Sequence, residues 1–401
     1  MKSLAQILSL PLVFSVLSVT AADWPNWRGP THDGVTAETG WSSQWPAEGP
    51  PQLWKTSVGT GFASVSVSNG KVFTVGNKAN TDTIFCLDAN TGKVIWKYSY
   101  PCPLTPNLYE GGPSATPTVD GGHVFAFSKG GDLFCLTTDA GKVVWEKHLG
   151  AEGKVEAPGW GFASSPIPFG NLLILNAGPL GMAVNKDSGQ VVWSSDGPGA
   201  GYSSAVPCQV NGVSAFLMLF GAEVAALETA TGKPLWRQPW KTDYDLNIAD
   251  AVIAGSRAFI SSDYGHGSAA LQLADGSTLW KNQAIGNHIQ SCVLLDGYIY
   301  GVDGNVGGGS DSLKCLDLAT GDVKWTQEDW NGSLIIADKK IIALTSKGEL
   351  LVANASPEGF HPISRAQVLG GKCWTSPVLA NGRIYCRNAR GDLVCLDVKQ
   401  K

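Results

Sequence analysis

The sequence predicts an all-β fold: an eight-bladed β-propeller with four antiparallel strands per blade. Three observations carry this. First, the segment CLDANTGKVIW, ending at Trp96, returns as CLTTDAGKVVW to Trp145, AVNKDSGQVVW to Trp193, ALETATGKPLW to Trp236, LQLADGSTLW to Trp280 and CLDLATGDVKW to Trp325. Second, these tryptophans recur about every 45 residues, the length of one propeller blade. Third, 49 glycines occur in 401 residues without a collagen-like period, so they mark many tight turns.

Each copy reads as an apolar alternating strand, a turn with glycine where φ must be positive, and a second strand ending in tryptophan. Two more strands precede it, joined by turns containing Asn69-Gly70, Asp120-Gly121, Asn211-Gly212, Asp296-Gly297 and Asn381-Gly382. One four-stranded blade cannot bury both its faces. Stacking blades around an axis does, with the recurrent tryptophan packed between neighbours.

Blade counting gives eight. The seventh, from Ser333 to about Ser364, is degenerate; its copy reads LLVANASPEGF, with Phe360 near the expected tryptophan and no Thr-Gly turn. The eighth begins at Trp374 and stops at Cys395-Leu396-Asp397 without its last strand. Leu53-Trp54-Lys55 has the strand end but no preceding strands. The N-terminal strand is therefore expected to complete the last blade and leave the ring without a free edge. The domain reading is a signal peptide over 1–22, an N-terminal extension over 23–51 and the propeller over 52–398.

Hydrophobic residues make up 43% and charged residues 16%, the balance of a packed globular chain. A net charge of −5 argues against a nucleic-acid binder, which needs a basic face. Lys2, the apolar run from Leu4 to about Val19 and the small residues Ala21 and Ala22 form a signal peptide, cut after Ala21 or Ala22. Pro11 and serines at 9, 15 and 18 argue against an anchor, and no later segment is long and apolar enough to span a membrane. The expected location is periplasmic or secreted. Cys86, Cys135, Cys315 and Cys395 share one repeat position before leucine, which reads as core packing instead of disulfide bonding.

The two faces of the ring are unlike. One carries the short glycine turns. The other carries long, dissimilar connections between blades, about 98–113, 146–163, 194–203, 237–249, 281–289, 326–332 and 361–373, and elaborate loops at 262–267 and 303–309. Variable loops on a rigid scaffold are where binding sits. The residues just before each innermost strand are candidates to line the mouth of the axis: Glu110, Trp160, Phe162, Tyr202, Asn247, Asp250, Asn287, His288, Gln290, Trp330 and Trp374. Aromatics mixed with amides suit a flat polar or sugar-like ligand. Asp243, Asp245 and Asp303 are candidate oxygen ligands for a metal. Asp243 to Asn247 is read as an extended segment with oxygens along one side, although Asp and Asn also favour loops for their own reasons. His32 and His266 are further loop histidines.

The repeat copies from 53 to 397 resemble the PQQ-repeat propellers, which include quinoprotein alcohol dehydrogenases and the propeller lipoprotein of the outer-membrane β-barrel assembly machinery. Trp24-Pro25-Asn26-Trp27-Arg28-Gly29-Pro30, Glu110 to Pro117 and Gly159 to Pro166 resemble segments of secreted bacterial PQQ-like propellers. The dehydrogenase branch implies PQQ in the channel, polarised by Ca²⁺ on Glu, Asn and Asp oxygens, with a carboxylate base. The sequence departs from that branch: it has no vicinal Cys-Cys, no haem domain and no long site-building insertions. The assembly branch implies a lipidated N-terminal cysteine, which is missing at the cleavage site.

Three functional expectations follow. The first is a non-catalytic scaffold binding a protein, peptide or glycan on the loop-rich face. The second is a PQQ- and Ca²⁺-dependent alcohol or sugar dehydrogenase. The third is an outer-membrane protein assembly factor.

Overall fold

The computed structural model describes residues 22–152, 154–305 and 311–400. The expected signal peptide therefore lies outside the described residues, apart from Ala22. The chain forms eight sheets in a ring, each built on four antiparallel strands. Blades 1 to 7 span 66–101, 118–148, 167–194, 206–239, 252–282, 293–328 and 332–367. Blade 8 combines Val378–Ala380, Arg383–Arg387 and Asp392–Asp397 with Gln52–Ser57, which pairs antiparallel with Asp392–Asp397. The N-terminal strand thus completes the last blade, as expected. Among the described residues the sole helical element is a 3₁₀ turn, Asp243–Asp245, and no helix is long and apolar enough to cross a membrane.

In blades 1 to 7 the four blade strands run from the axis outward in chain order, whereas blade 8 takes its outermost strand from the N-terminal side; innermost strands touch between blades 1 and 2, 2 and 3, 4 and 5, 5 and 6, and 6 and 7. The cores lie between blades. Phe73, Ile84, Cys86 and Trp96 of blade 1 pack against Val124, Phe134 and Leu136 of blade 2, and the same interleaving continues around the ring. The four repeat cysteines sit here, opposite tryptophan in the cases of Cys86, Cys135, Cys315 and Cys395. Burial pushes their thiols up to about 12, which leaves them inert. All nine cysteines are free and buried.

The recurrent tryptophan latches each blade to the next. The indole Nε1 of Trp54, Trp96, Trp145, Trp193, Trp236, Trp280 and Trp325 donates to the carbonyl of Ala89, Thr138, Lys186, Thr229, Leu273, Leu318 and Ser356, at 2.8–3.0 Å. Each acceptor lies in the outer turn of the following blade. For every one of these tryptophans except Trp325, the indole ring also covers that turn's glycine. At Gly92 an added Cβ would stand 2.6 Å from Trp54 Cδ2, and φ is +68°. Glycine is therefore required twice over, by backbone conformation and by space.

Blade 7 breaks the pattern. Its outermost strand is Pro362–Gln367, where the sequence reading placed an inter-blade loop. Ser364, not an aromatic residue, stands opposite Val352 at the tryptophan register. Phe360 lies before the strand, its ring 5.8 Å from Trp325. The reason is topological: the next outer turn would join residues 397 and 52, which are the two ends of the propeller's chain. The segment 41–45 occupies that place. Trp41 bridges to Lys399, Ser42 N–H donates to Val398 at 2.6 Å, Ser364 Oγ donates to the Ser43 carbonyl at 2.7 Å, and Trp45 packs on the same core as Ile363.

Candidate functional site

The axis of the ring is not an open channel. Residues 24–36 form a hairpin inserted among the innermost strands. Trp24 exchanges two backbone hydrogen bonds with Val67 of blade 1, at 2.9 and 2.8 Å. Val119 N–H of blade 2 donates to Pro25 at 2.8 Å. The hairpin then crosses the axis. Trp27 Nε1 donates to Asp250 Oδ2 at 2.6 Å, and Arg28 Nη2 donates to the Cys292 carbonyl at 2.7 Å. The return arm, Val35–Thr36, adds a fifth strand to blade 7, parallel to Gly332–Ala337. A void lined by Trp24, Trp27, Arg28, Ser64, Ser291 and Val378 measures about 10 Å³, room for at most one water.

The hairpin rests on a belt of hydrogen bonds two residues before the innermost strands. Ser64 N–H donates to Thr116 Oγ1, Thr116 N–H to Ser165 Oγ, Ser165 N–H to Ser204 Oγ, Ser204 N–H to Asp250 Oδ1 and Asp250 N–H to Ser291 Oγ, at 2.6–3.0 Å. Asp250 is the charged member of this run. Its carboxylate also faces Arg28, with Nε 3.9 Å away. Burial raises the Asp250 carboxyl above its usual range, against the opposing pull of Arg28. This candidate from the sequence therefore anchors the hairpin, deep in the axis.

The other mouth candidates divide into two groups. Asn247 is buried; its amide donates to the Phe220 and Trp240 carbonyls and accepts from Ser262 Oγ. Asn287 is buried as well, donating to the Val302 carbonyl and accepting from the Cys292 thiol. Phe162 packs on Phe127 in the core, and Trp330 is buried, its backbone N–H donating to the Asp311 carbonyl. Gln290 is 4% exposed, with neither amide atom hydrogen-bonded to protein.

A second group faces the loop side. Trp374 stacks on Phe62 at 5.4 Å, Tyr109 lies 5.4 Å from the same ring, and Lys372 Nζ sits 4.2 Å over Trp374. Lys372 also pairs with Glu110 at 2.8 Å. Trp160 meets Tyr202 edge-on at 6.4 Å. Tyr264 packs against Tyr244 at 5.8 Å and hydrogen-bonds His288 Nε2 at 3.2 Å. Burial lowers the pKa of His288 to about 4, so its imidazole is neutral at pH 7. His32 and His266 are lowered by burial too; His32 lies in the hairpin and His266 against Trp240. A wider cleft of about 480 Å³ lies on the opposite, glycine-turn face between blades 5 and 6, lined by Arg257, Asp296, Tyr298 and Asp317.

Asp243 and Asp245 do not extend as expected. Positive φ at Tyr244 (+64°) and Asp245 (+55°) turns the backbone, so the oxygens do not line up along one side. Asp303 is engaged by Lys314 Nζ at 2.5 Å and by Gly286 N–H at 2.7 Å. Among the described residues no three His, Cys, Asp or Glu side chains gather as a metal site; part of the 303–309 loop lies outside them. With the axis filled by the chain's own hairpin and Asp250 committed to Trp27, Ser204 and Arg28, the described residues do not fit a stacked quinone with a Ca²⁺ partner.

Sequence reasoning named Trp24 to Pro30 but did not place it in the axis; it named the 262–267 loop but not Tyr264 as a rim residue, and it missed Tyr109 and Lys372. One signal was available for the first: four tryptophans at 24, 27, 41 and 45 are too much apolar surface for a solvated extension.

A family model described as outer membrane protein assembly factor BamB matches residues 33–111 and 104–327. The outer membrane protein assembly factor BamB of Yersinia pestis is 23% identical over 378 residues, covering 85% of this chain and 87% of its own. The structure of BamB from Moraxella catarrhalis superposes with a TM-score of 0.65 at 14% identity, over 87% of this chain and 99% of that one. Quinohemoprotein alcohol dehydrogenase from Comamonas testosteroni gives 0.68 at 13% identity, over 94% and 81%. The two structural likenesses concern the fold alone.

Proposed function

This chain belongs to the family whose model is described as outer membrane protein assembly factor BamB, and from that premise we propose that it is a non-catalytic binding propeller of the periplasm or the secreted space. Its loop face holds a segment of another protein, in the service of outer-membrane protein assembly. The observation that carries this is the plugged axis. The place where a propeller enzyme would admit a small substrate is filled by residues 24–36, and the buried carboxylate there is used to hold them. What remains accessible is a rim. Phe62, Tyr109, Trp160, Tyr264 and Trp374 are partly exposed, Tyr244 is 73% exposed and Leu108 is 92% exposed. Aromatic side chains with polar tips, set around a rigid disc, favour the backbone and apolar side chains of an extended polypeptide.

The test uses a fluorescent peptide carrying one β-strand of an outer-membrane protein, titrated with the purified protein. Binding weakened about tenfold or more in the Tyr244→Ala/Trp374→Ala double variant, which corresponds to about 1.4 kcal/mol, supports the reading. Binding that is absent, or indifferent to both substitutions, refutes it. In the producing organism, deletion of the gene should lower outer-membrane protein levels; unchanged levels exclude the assembly role.

A further inference from the structure

Glu38 is a buried carboxylate with no ion-pair partner among the described residues. It lies under the inner turn of blade 8 and is 1% exposed. Its oxygens accept from Asn381 N–H at 2.7 Å and Gly382 N–H at 2.5 Å, and the nitrogen of Ala22 stands 3.4 Å from Oε2. It takes no part in the ion pairs found among the described residues. Burial raises its pKa, opposed by those three N–H groups, with Lys399 the weakest of the groups acting on it. Neutral donors compensate an ionised carboxylate only in part; a buried charge calls for an opposite charge.

Ala22 also stands directly after a bond that the sequence offers for signal-peptide cleavage. We propose that an export endopeptidase hydrolyses the Ala21–Ala22 bond and that the α-ammonium so created is the counterion of Glu38. Water adds across the C–N bond. Ala21 departs as a carboxylate, and the Ala22 nitrogen, formerly an amide, takes up a proton to become a primary ammonium with three donors. In the uncut chain the same atom is neutral and offers a single N–H. After the cut it is a charge within reach of Oε2, and the two arms of the axial hairpin, one entering at Ala22 and the other leaving at Glu38, are tied together beneath blade 8.

A cut one residue later would forfeit this. It would remove the nitrogen that reaches Glu38 and place the ammonium on Asp23. The carboxylate of Asp23 is already held by Asn69 N–H at 2.9 Å, Ser68 Oγ at 3.2 Å and Asn381 Nδ2 at 2.9 Å. Of the two cleavage positions that the sequence leaves equivalent, only the first would keep the nitrogen that reaches Glu38.

The experiment begins with the full chain exported by a Gram-negative host and purified in its mature form. N-terminal sequencing and intact mass should give Ala22 as the first residue. The α-amine is then titrated with a small amine-acylating reagent at pH 7. An ordinary α-amine has a pKa of about 7.7–8.0, and a rise of about one unit slows labelling about tenfold at that pH. The wild type should therefore label about tenfold more slowly than Glu38→Gln. Should Glu38→Gln fail to fold, a chain with one glycine added before Ala22 takes its place, and its amine should label at the ordinary rate. A mature chain beginning at any other residue, or equal labelling of wild type and the folded variant, overturns the proposal.

Discussion

Replacing Gly92 by alanine should cost far more than the same change at Gly70, although both lie in turns of blade 1 and both have positive φ, +68° and +71°. The added methyl group strains the left-handed backbone by about 1–2 kcal/mol at either position. At Gly70 nothing lies within 4 Å of the new Cβ, so that strain is the whole effect. At Gly92 the Cβ would stand 2.6 Å from Trp54 Cδ2, 2.7 Å from Cε3 and 3.0 Å from Cγ. Trp54 must move. It is 7% exposed, so there is little room for it, and overpacking costs about 1–3 kcal/mol. Its Nε1 bond to Ala89, 3.0 Å, stretches or breaks, for about 1 kcal/mol more. The expected loss is about 4 kcal/mol for Gly92→Ala and about 1 kcal/mol for Gly70→Ala, read from equilibrium urea unfolding followed by far-ultraviolet circular dichroism. Equal losses would refute the latch: the glycine would then serve the backbone alone.

Other perturbations test the ring and its axis. Deleting residues 50–58 removes the strand that completes blade 8 and should unfold the whole domain, so a truncated protein with unchanged melting would contradict ring closure. Arg387 is 1% exposed and donates to Ala63, Thr74, Val75 and Gly59 across the junction of blades 8 and 1. Arg387→Met leaves those acceptors unsatisfied and should cost about 3 kcal/mol or more by urea unfolding, whereas a neutral outcome would mean that the guanidinium's own desolvation cancels its bonds. Asp250→Asn discharges the partner of Arg28 and should make the 24–36 hairpin cleavable by trypsin at Arg28 while the blades stay folded; protection equal to wild type would show that the charge is not what holds it. His288, lowered to about 4 by burial, takes up its proton at higher pH in the unfolded chain. Stability present above pH 6.5 should therefore fall as pH drops toward 4, by at most about 3 kcal/mol, and His288→Gln should flatten that part of the profile measured by urea unfolding.

The blade repeat was legible because it is written locally. Each copy places strand, glycine turn and tryptophan within a few residues, and its spacing repeats. The ring closure was legible for the same reason, since a half-blade at each end, Trp54 and Cys395, pointed to its complement. The hairpin left no such mark. Trp27 meets Asp250, and Arg28 meets Cys292, more than two hundred residues away, and no period relates these partners. Asp250 was marked as a mouth residue because it precedes an innermost strand, but its depth depends on which way that strand faces inside a filled axis. Arg387 sits in an ordinary-looking strand, RIYCR, and only the neighbouring blade reveals why a guanidinium is there. Asp243 to Asn247 was misread because alternating acidic residues resemble an extended strand, whereas left-handed φ at Tyr244 and Asp245 bends the segment.

The pairing of Gln52–Ser57 with Asp392–Asp397 sets a timetable. Blades 1 to 7 are each contiguous in the chain and can form as they leave the ribosome or a translocation pore. Blade 8 cannot, because its outermost strand is made first and its neighbouring strand last. Until the final residues arrive, the flanks of blades 7 and 1 at the open junction present apolar faces to solvent, and the first strand waits with its hydrogen-bonding edge bare. Truncation near the C-terminus, even by one strand, should therefore leave an open arc prone to association with other chains, where a linear array of the same blades would simply lose its last unit.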